Sequence, residues 1–185
     1  MTEHDPLGYA NADFSCDFYA PSTGTWDLSS NGVWWVGGSK ASKTLRPGTY
    51  CARGSSGTIK LGDSDIAISD VVVDEVYYGP GGVTFVAPYQ VEISGSNFQL
   101  MPHEKDVLFA SYGNTDVAVK VAGSSGTWAG LIYAPNGTAE VSGSSNFNFT
   151  GGIIAERVKL NGSDATINGD AGLPAAPEQA ITLVE

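Results

Sequence analysis

The stretch Gly130-Leu131-Ile132-Tyr133-Ala134-Pro135-Asn136-Gly137-Thr138-Ala139-Glu140-Val141-Ser142-Gly143-Ser144-Ser145 holds one phrase in full. A short apolar run, Leu131 to Ala134, leads to an alternating stretch, Ala139-Glu140-Val141, that closes on Gly143-Ser144-Ser145. The run recurs as Gly82-Val83-Thr84-Phe85-Val86, Val107-Leu108-Phe109-Ala110 and Gly152-Ile153-Ile154-Ala155. The alternating stretch recurs as Val91-Glu92-Ile93, Val117-Ala118-Val119-Lys120-Val121 and Val158-Lys159-Leu160. Each closes on Gly and Ser, at Gly95, Gly123 and Gly162. The runs step by 24, 24 and 22 residues from Val83 to Ile153. A short third strand follows each turn: Phe98-Gln99-Leu100, Thr127-Trp128, Phe147-Asn148-Phe149 and Thr166-Ile167.

Period-two patterning marks a strand with one buried face. Glu92 and Lys159 should point outward, and their neighbours inward. Gly supplies positive φ at bends, and Ser and Asn bond locally to the backbone there. A repeat of this period means stacked similar units. The expectation is an all-β, single-stranded, right-handed parallel β-helix with three short strands per coil and about five coils. Thr49 to Ile68 reads as an irregular first coil, and Val71 to Pro80 as an insertion after it. Residues 1–47 read as an N-terminal Trp-rich cap region, 48–170 as the β-helix, and 171–185 as a tail packing on the solenoid or extending from it. Ile181 to Val184 is placed as an edge strand.

Hydrophobic residues make up 42% of the 185 and charged ones 16%, so the chain can bury a core as one domain. The net charge is −11, with no Lys/Arg cluster, which argues against a nucleic-acid or anionic-membrane partner. No run of about 20 apolar residues is present, so no membrane span is expected. Met1-Thr2-Glu3-His4-Asp5 lacks the basic start and apolar core of a signal peptide, so a targeting segment is not expected in this sequence. Cys16 and Cys51 are the only cysteines. They are either a disulfide tying the cap to the first coil or two separate buried thiols.

Several of these elements together carry a resemblance: Pro47-Gly48-Thr49-Tyr50, Gly82 to Val86, Val91 to Gly95, Val107 to Ala110, and above all Gly130-Leu131-Ile132-Tyr133-Ala134-Pro135-Asn136-Gly137-Thr138. This pattern resembles the C-terminal β-solenoid region of TadE/TadG-like proteins, associated with tight-adherence (Flp-type) pilus machinery. Such proteins usually carry an N-terminal membrane helix that has no counterpart in this sequence. The resemblance implies an extracellular or cell-surface structural or adhesive module with no catalytic residues, working through protein partners or self-association into a filament.

A second class is a glycan-binding or glycan-active β-helix. Its candidate face is Glu92, Lys120 and Glu140, where paired carboxylates would serve as acid and base. The plain alternative is a solvated face of mixed charge. Trp34 and Trp35 form a candidate contact surface, because adjacent strand residues point to opposite faces. Otherwise they plug the end of the stack. No cofactor is expected. Calcium is a secondary candidate near Asp63, Asp65 and Asp70, within the acidic run that continues to Asp74 and Glu75, although the spacing fits no calcium-loop motif. His4 and His103, the only histidines, have no catalytic partner at local spacing. A Thr ladder for ice binding is missing, and Asn136, Asn148 and Asn161 match glycosylation acceptors only as often as such a composition predicts.

Overall fold

The computed structural model describes residues 7–10, 13–73, 76–163 and 165–169. The strands are β1 (Phe18–Asp27), β2 (Thr44–Leu45), β3 (Gly48–Ser64), β4 (Ala67–Ile68), β5 (Asp70–Val73), β6 (Val76–Pro80), β7 (Val83–Ala87), β8 (Gln90–Leu100), β9 (Val107–Ser111), β10 (Val119–Gly162) and β11 (Ala165–Asn168). Two 3-10 turns, Val36–Gly38 and Lys40–Ser42, lie between β1 and β2.

Seven strands form one sheet, and its strands pair in parallel. β3 pairs with β7, β7 with β9, β9 with β10, β10 with β8, and β8 again with β3. That circuit closes a five-strand parallel barrel. β1 adds to β3 and β11 to β10 outside it. The small β2–β4 pair is parallel, and the β5–β6 pair is antiparallel.

This architecture corrects the expected right-handed parallel β-helix of about five coils with three short strands each. The difference lies in the Gly-Ser phrases. They were expected to end strands, yet β8 runs unbroken through Gly95-Ser96-Asn97 and β10 runs 44 residues through Gly123 and Gly143. Asn97, Ser125 and Ser145 take left-handed φ values of 56°, 52° and 44°, so they bend a continuous strand. A long bent strand can pair with different neighbours along its length. β3 and β10 do so, and their pairings close the ring.

The interior follows from alternation. Phe18, Tyr50, Phe85, Phe109 and Ile132 are neighbours in register and point to one side. Their rings stack at 4.7, 5.2 and 5.8 Å between Phe18–Tyr50, Tyr50–Phe85 and Phe85–Phe109. Trp128 extends the stack, 6.1 Å from Phe109 and 5.6 Å from Phe147. Such ring pairs add to the area they bury. Burial raises the Tyr50 phenol, and the nearby Arg46 only partly offsets it. Its hydroxyl is satisfied by donating to the Arg46 carbonyl at 2.5 Å.

The opposite faces of β7 and β9 are buried as well. Cys51, Val86, Ala110 and Tyr133 are neighbours in register and point outward from the barrel. The N-terminal segment covers them: Tyr9, Phe14 and Cys16 pack there with Leu131 and Val107. Two-sided burial explains why β7 and β9 read as solid apolar runs rather than alternating ones.

Candidate functional site

Two side-chain ladders run across the strands. In the phrase, apolar residues stand four and two positions before each closing residue, and a charged residue stands three before it. The apolar ladder is Ile59/Leu61, Val91/Ile93, Val119/Val121 and Ala139/Val141, each no more than 2% exposed. Its last step, Val158/Leu160, is 46% and 57% exposed, and Ile167 on β11 is 36% exposed. The chain thus seals its core everywhere along this ladder except at its C-terminal end. Among the described residues no strand lies beyond that end. An apolar edge of this kind is a candidate contact surface.

The charged ladder alternates in sign. Register places Asp27 beside Lys60, Lys60 beside Glu92, and Glu92 beside Lys120. Glu92 Oε2 lies 3.6 Å from Lys60 Nζ, and its Oε1 lies 3.9 Å from Lys120 Nζ. Glu140 and Lys159 hold the same place in the next two phrases. Glu140 is half-buried on the same outward face. Glu92 is thus neutralised by two ammonium groups. That arrangement pairs the carboxylate with two cations. The partner that mattered here, Lys60, carried no signal without the register.

The tryptophan pair does not form an outward surface. Trp35 is fully buried and Trp34 partly so. Both indole N–H groups donate to the Leu28 carbonyl, at 3.0 and 3.1 Å. The pair lies in a turn, with Trp35 joined to Leu45 by an isolated bridge, so strand alternation does not apply; the Trp34 ring meets Trp26 of β1 edge-on at 5.4 Å. They close the N-terminal end of the core. Gly32 permits it: a Cβ there would meet the Trp34 ring at 2.3 Å.

Cys16 and Cys51 form a disulfide with Cα atoms 5.8 Å apart. It fastens the N-terminal segment to β3. Residues invisible to local reading complete the clasp. Glu104 Oε2 accepts from the Ser15 amide at 3.0 Å and the Thr49 hydroxyl at 3.2 Å. The Lys105 ammonium sits 5.5 and 5.9 Å above the Tyr9 and Phe14 rings. His103 Nε2 lies 3.6 Å from Asp17 Oδ2, on an exposed surface.

Asp63 and Asp65 are already engaged. Lys43 bonds the Asp63 carboxylate, and Asn97 Nδ2 donates to Asp65 Oδ1 at 2.8 Å. No group of three His, Cys, Asp or Glu side chains among the described residues is placed to hold a metal. The side chains of Asp70, Asp74 and Glu75 lie outside the described residues, as do His4 and the tail from 171. Burial raises the Asp63 carboxyl, but the Lys43 hydrogen bond, the Ser64 amide and the charges of Lys43 and Lys40 together hold it below the usual carboxylate range. The folded value is therefore below the unfolded one. Its contribution to stability is present above about pH 4 and is lost as pH falls through the folded value. Asp63→Asn should flatten the acid side of the stability–pH curve below about pH 4 relative to the native chain. Denaturant melts across that range check it, and parallel curves for the two proteins would remove Asp63 from the account.

No helix among the described residues is long and apolar enough to cross a membrane. Residues 26–175 match a family described as a domain of unknown function (DUF7305), and the chain belongs to that family. No curated protein and no solved structure matches the chain.

Proposed function

We propose that this member of the DUF7305 family is a non-catalytic structural module outside the cytoplasm, displayed at a bacterial cell surface and acting through protein contact. The open apolar end at Val158, Leu160 and Ile167 carries the reading, because it is a prepared contact surface on a core sealed along the rest of its ladder. The Cys16–Cys51 disulfide supports an oxidising compartment. The resemblance to TadE/TadG-like proteins supplies the setting, a pilus or the surface around it. The balanced charges around Glu92 suit a solvated wall better than a catalytic cleft.

The test uses intact cells producing the full chain. Antibody labelling and external protease should reach the protein without lysis, and Cys16 and Cys51 should resist alkylation until reduced. A protein reached only after lysis, with both thiols free, would overturn the reading. Cleavage of a polysaccharide by the purified chain would replace it with the glycan-active one.

A further inference from the structure

We infer that the open C-terminal end binds the N-terminal edge of a second copy of this chain, so that copies add head to tail. The inference rests on the contact reading above and names its occupant.

Three observations select that occupant. The first is a pair of free edges. Among the described residues β1 pairs only with β3 and no strand lies beyond Val158–Gly162, so within them each end offers the edge of a parallel strand. Two different surfaces that complement each other make a heterologous contact, which grows without closing unless a rotation brings it round.

The second is sign. The outward ladder reads Asp27, Lys60, Glu92, Lys120 in register, followed in phrase order by Glu140 and Lys159. Gly162 lies over the Gly143 carbonyl oxygen, where an added Cβ would fall 1.8 Å away. Gly95 lies in the same way over Asp63, its register partner, at 1.6 Å. That places Lys159, three before Gly162, opposite Glu140, three before Gly143. The series therefore ends positive at one edge and negative at the other. An Asp27 from the next copy is the residue that continues it. Opposite charges on neighbouring strands attract, and like charges repel.

The third is the apolar pattern. Trp26-Asp27-Leu28 repeats the apolar–charged–apolar order of Val158-Lys159-Leu160 with the complementary charge. Val33 and Val36, beside the tryptophan plug, are 67% and 40% exposed at the N-terminal end. They provide apolar cover for Val158 and Leu160. Against these stands the net charge of −11, which opposes self-association at long range and is screened by salt.

Sedimentation velocity on the full chain at physiological salt, over a concentration series, is the first reading. Growth that continues past a dimer is expected. The deciding measurement is charge reversal. Lys159→Glu makes both ends negative, and Asp27→Lys makes both positive. Each variant alone should associate roughly tenfold more weakly than the native chain. An equimolar mixture restores opposite signs at every junction and should recover the native behaviour. Lys159 is exposed, so its variant should keep the native melt; Asp27 accepts from the Ser29 amide, so Asp27→Asn serves where Asp27→Lys melts early.

A native chain that stays monomeric, a closed dimer indifferent to both reversals, or a mixture no better than its components would overturn the inference. So would a chain ending at residue 169 that assembles where the full chain does not, since its own tail would then be the cover. These results are read in solution, so an assembly failure leaves a surface location standing, and an intracellular location leaves the assembly result intact.

Discussion

Reduction of the Cys16–Cys51 disulfide, or its replacement by two serines, should cost about 4 kcal/mol of stability. The two cysteines are 35 residues apart, and the cross-link removes the closure entropy of that loop from the unfolded chain. The folded state also loses something. The segment it fastens covers Val86, Ala110, Leu131 and Tyr133 on the outer faces of β7, β9 and β10. Those strands are buried on both sides only because the cover is in place. Freed of the disulfide, the segment retains the Glu104 hydrogen bonds and the Lys105 contacts with Tyr9 and Phe14, all partly exposed. Each is worth about 1 kcal/mol or less. Urea melts of the native chain with and without reductant, and of the double-serine variant, check the figure. A loss under about 1 kcal/mol would mean that the segment stays docked by these contacts alone. It would also weaken the argument from the disulfide to an oxidising compartment.

The residues that face the core were legible because they lie within one strand. Val91-Glu92-Ile93, Val119-Lys120-Val121 and Ala139-Glu140-Val141 alternate, and the structure buries the apolar positions and leaves the charged ones partly exposed. How strands close on one another was not legible. Period-two patterning says which face is inward but not whether a glycine ends a strand or bends it. The same phrase describes both. β1 was also hidden, because Phe18–Asp27 lacks the closing Gly-Ser phrase; the available signal was Trp26-Asp27-Leu28, an apolar–acid–apolar triplet like the others. Trp34 and Trp35 misled because the rule of opposite faces holds only inside a strand. The Ser15–Glu104 contact spans 89 residues and leaves no local trace. Of the outward face, Glu92 and Lys120 could be placed from the sequence. Their pairing through one carboxylate with Lys60 required the register.

Gly95 and Gly62 separate the two roles a glycine plays here, and they sit on adjacent strands, with Gly62 opposite Ser94. If Gly95 were needed only for its backbone conformation, alanine would cost about 1–2 kcal/mol, the penalty of a Cβ on left-handed backbone. The geometry demands more. Its φ is +156°, and an added Cβ would fall 1.6 Å from the Asp63 carbonyl oxygen and 2.7 Å from the Phe98 ring. The oxygen is backbone and cannot rotate away, so β8 must move off β3 and take part of the closed ring with it. Gly95→Ala should therefore cost about 3 kcal/mol or more. Gly62 has no positive φ, and its added Cβ would meet only Ser94 Oγ, at 3.4 Å, an ordinary contact. Gly62→Ala should be neutral, or stabilising by up to about 1 kcal/mol, because alanine narrows the unfolded ensemble. Paired urea melts decide between the roles. Equal small effects would make Gly95 a simple bend and loosen the β3–β8 seam that closes the barrel. A large loss at Gly95 alone would show that this position lets β8 and β3 touch, backbone against backbone, where a side chain would hold them apart.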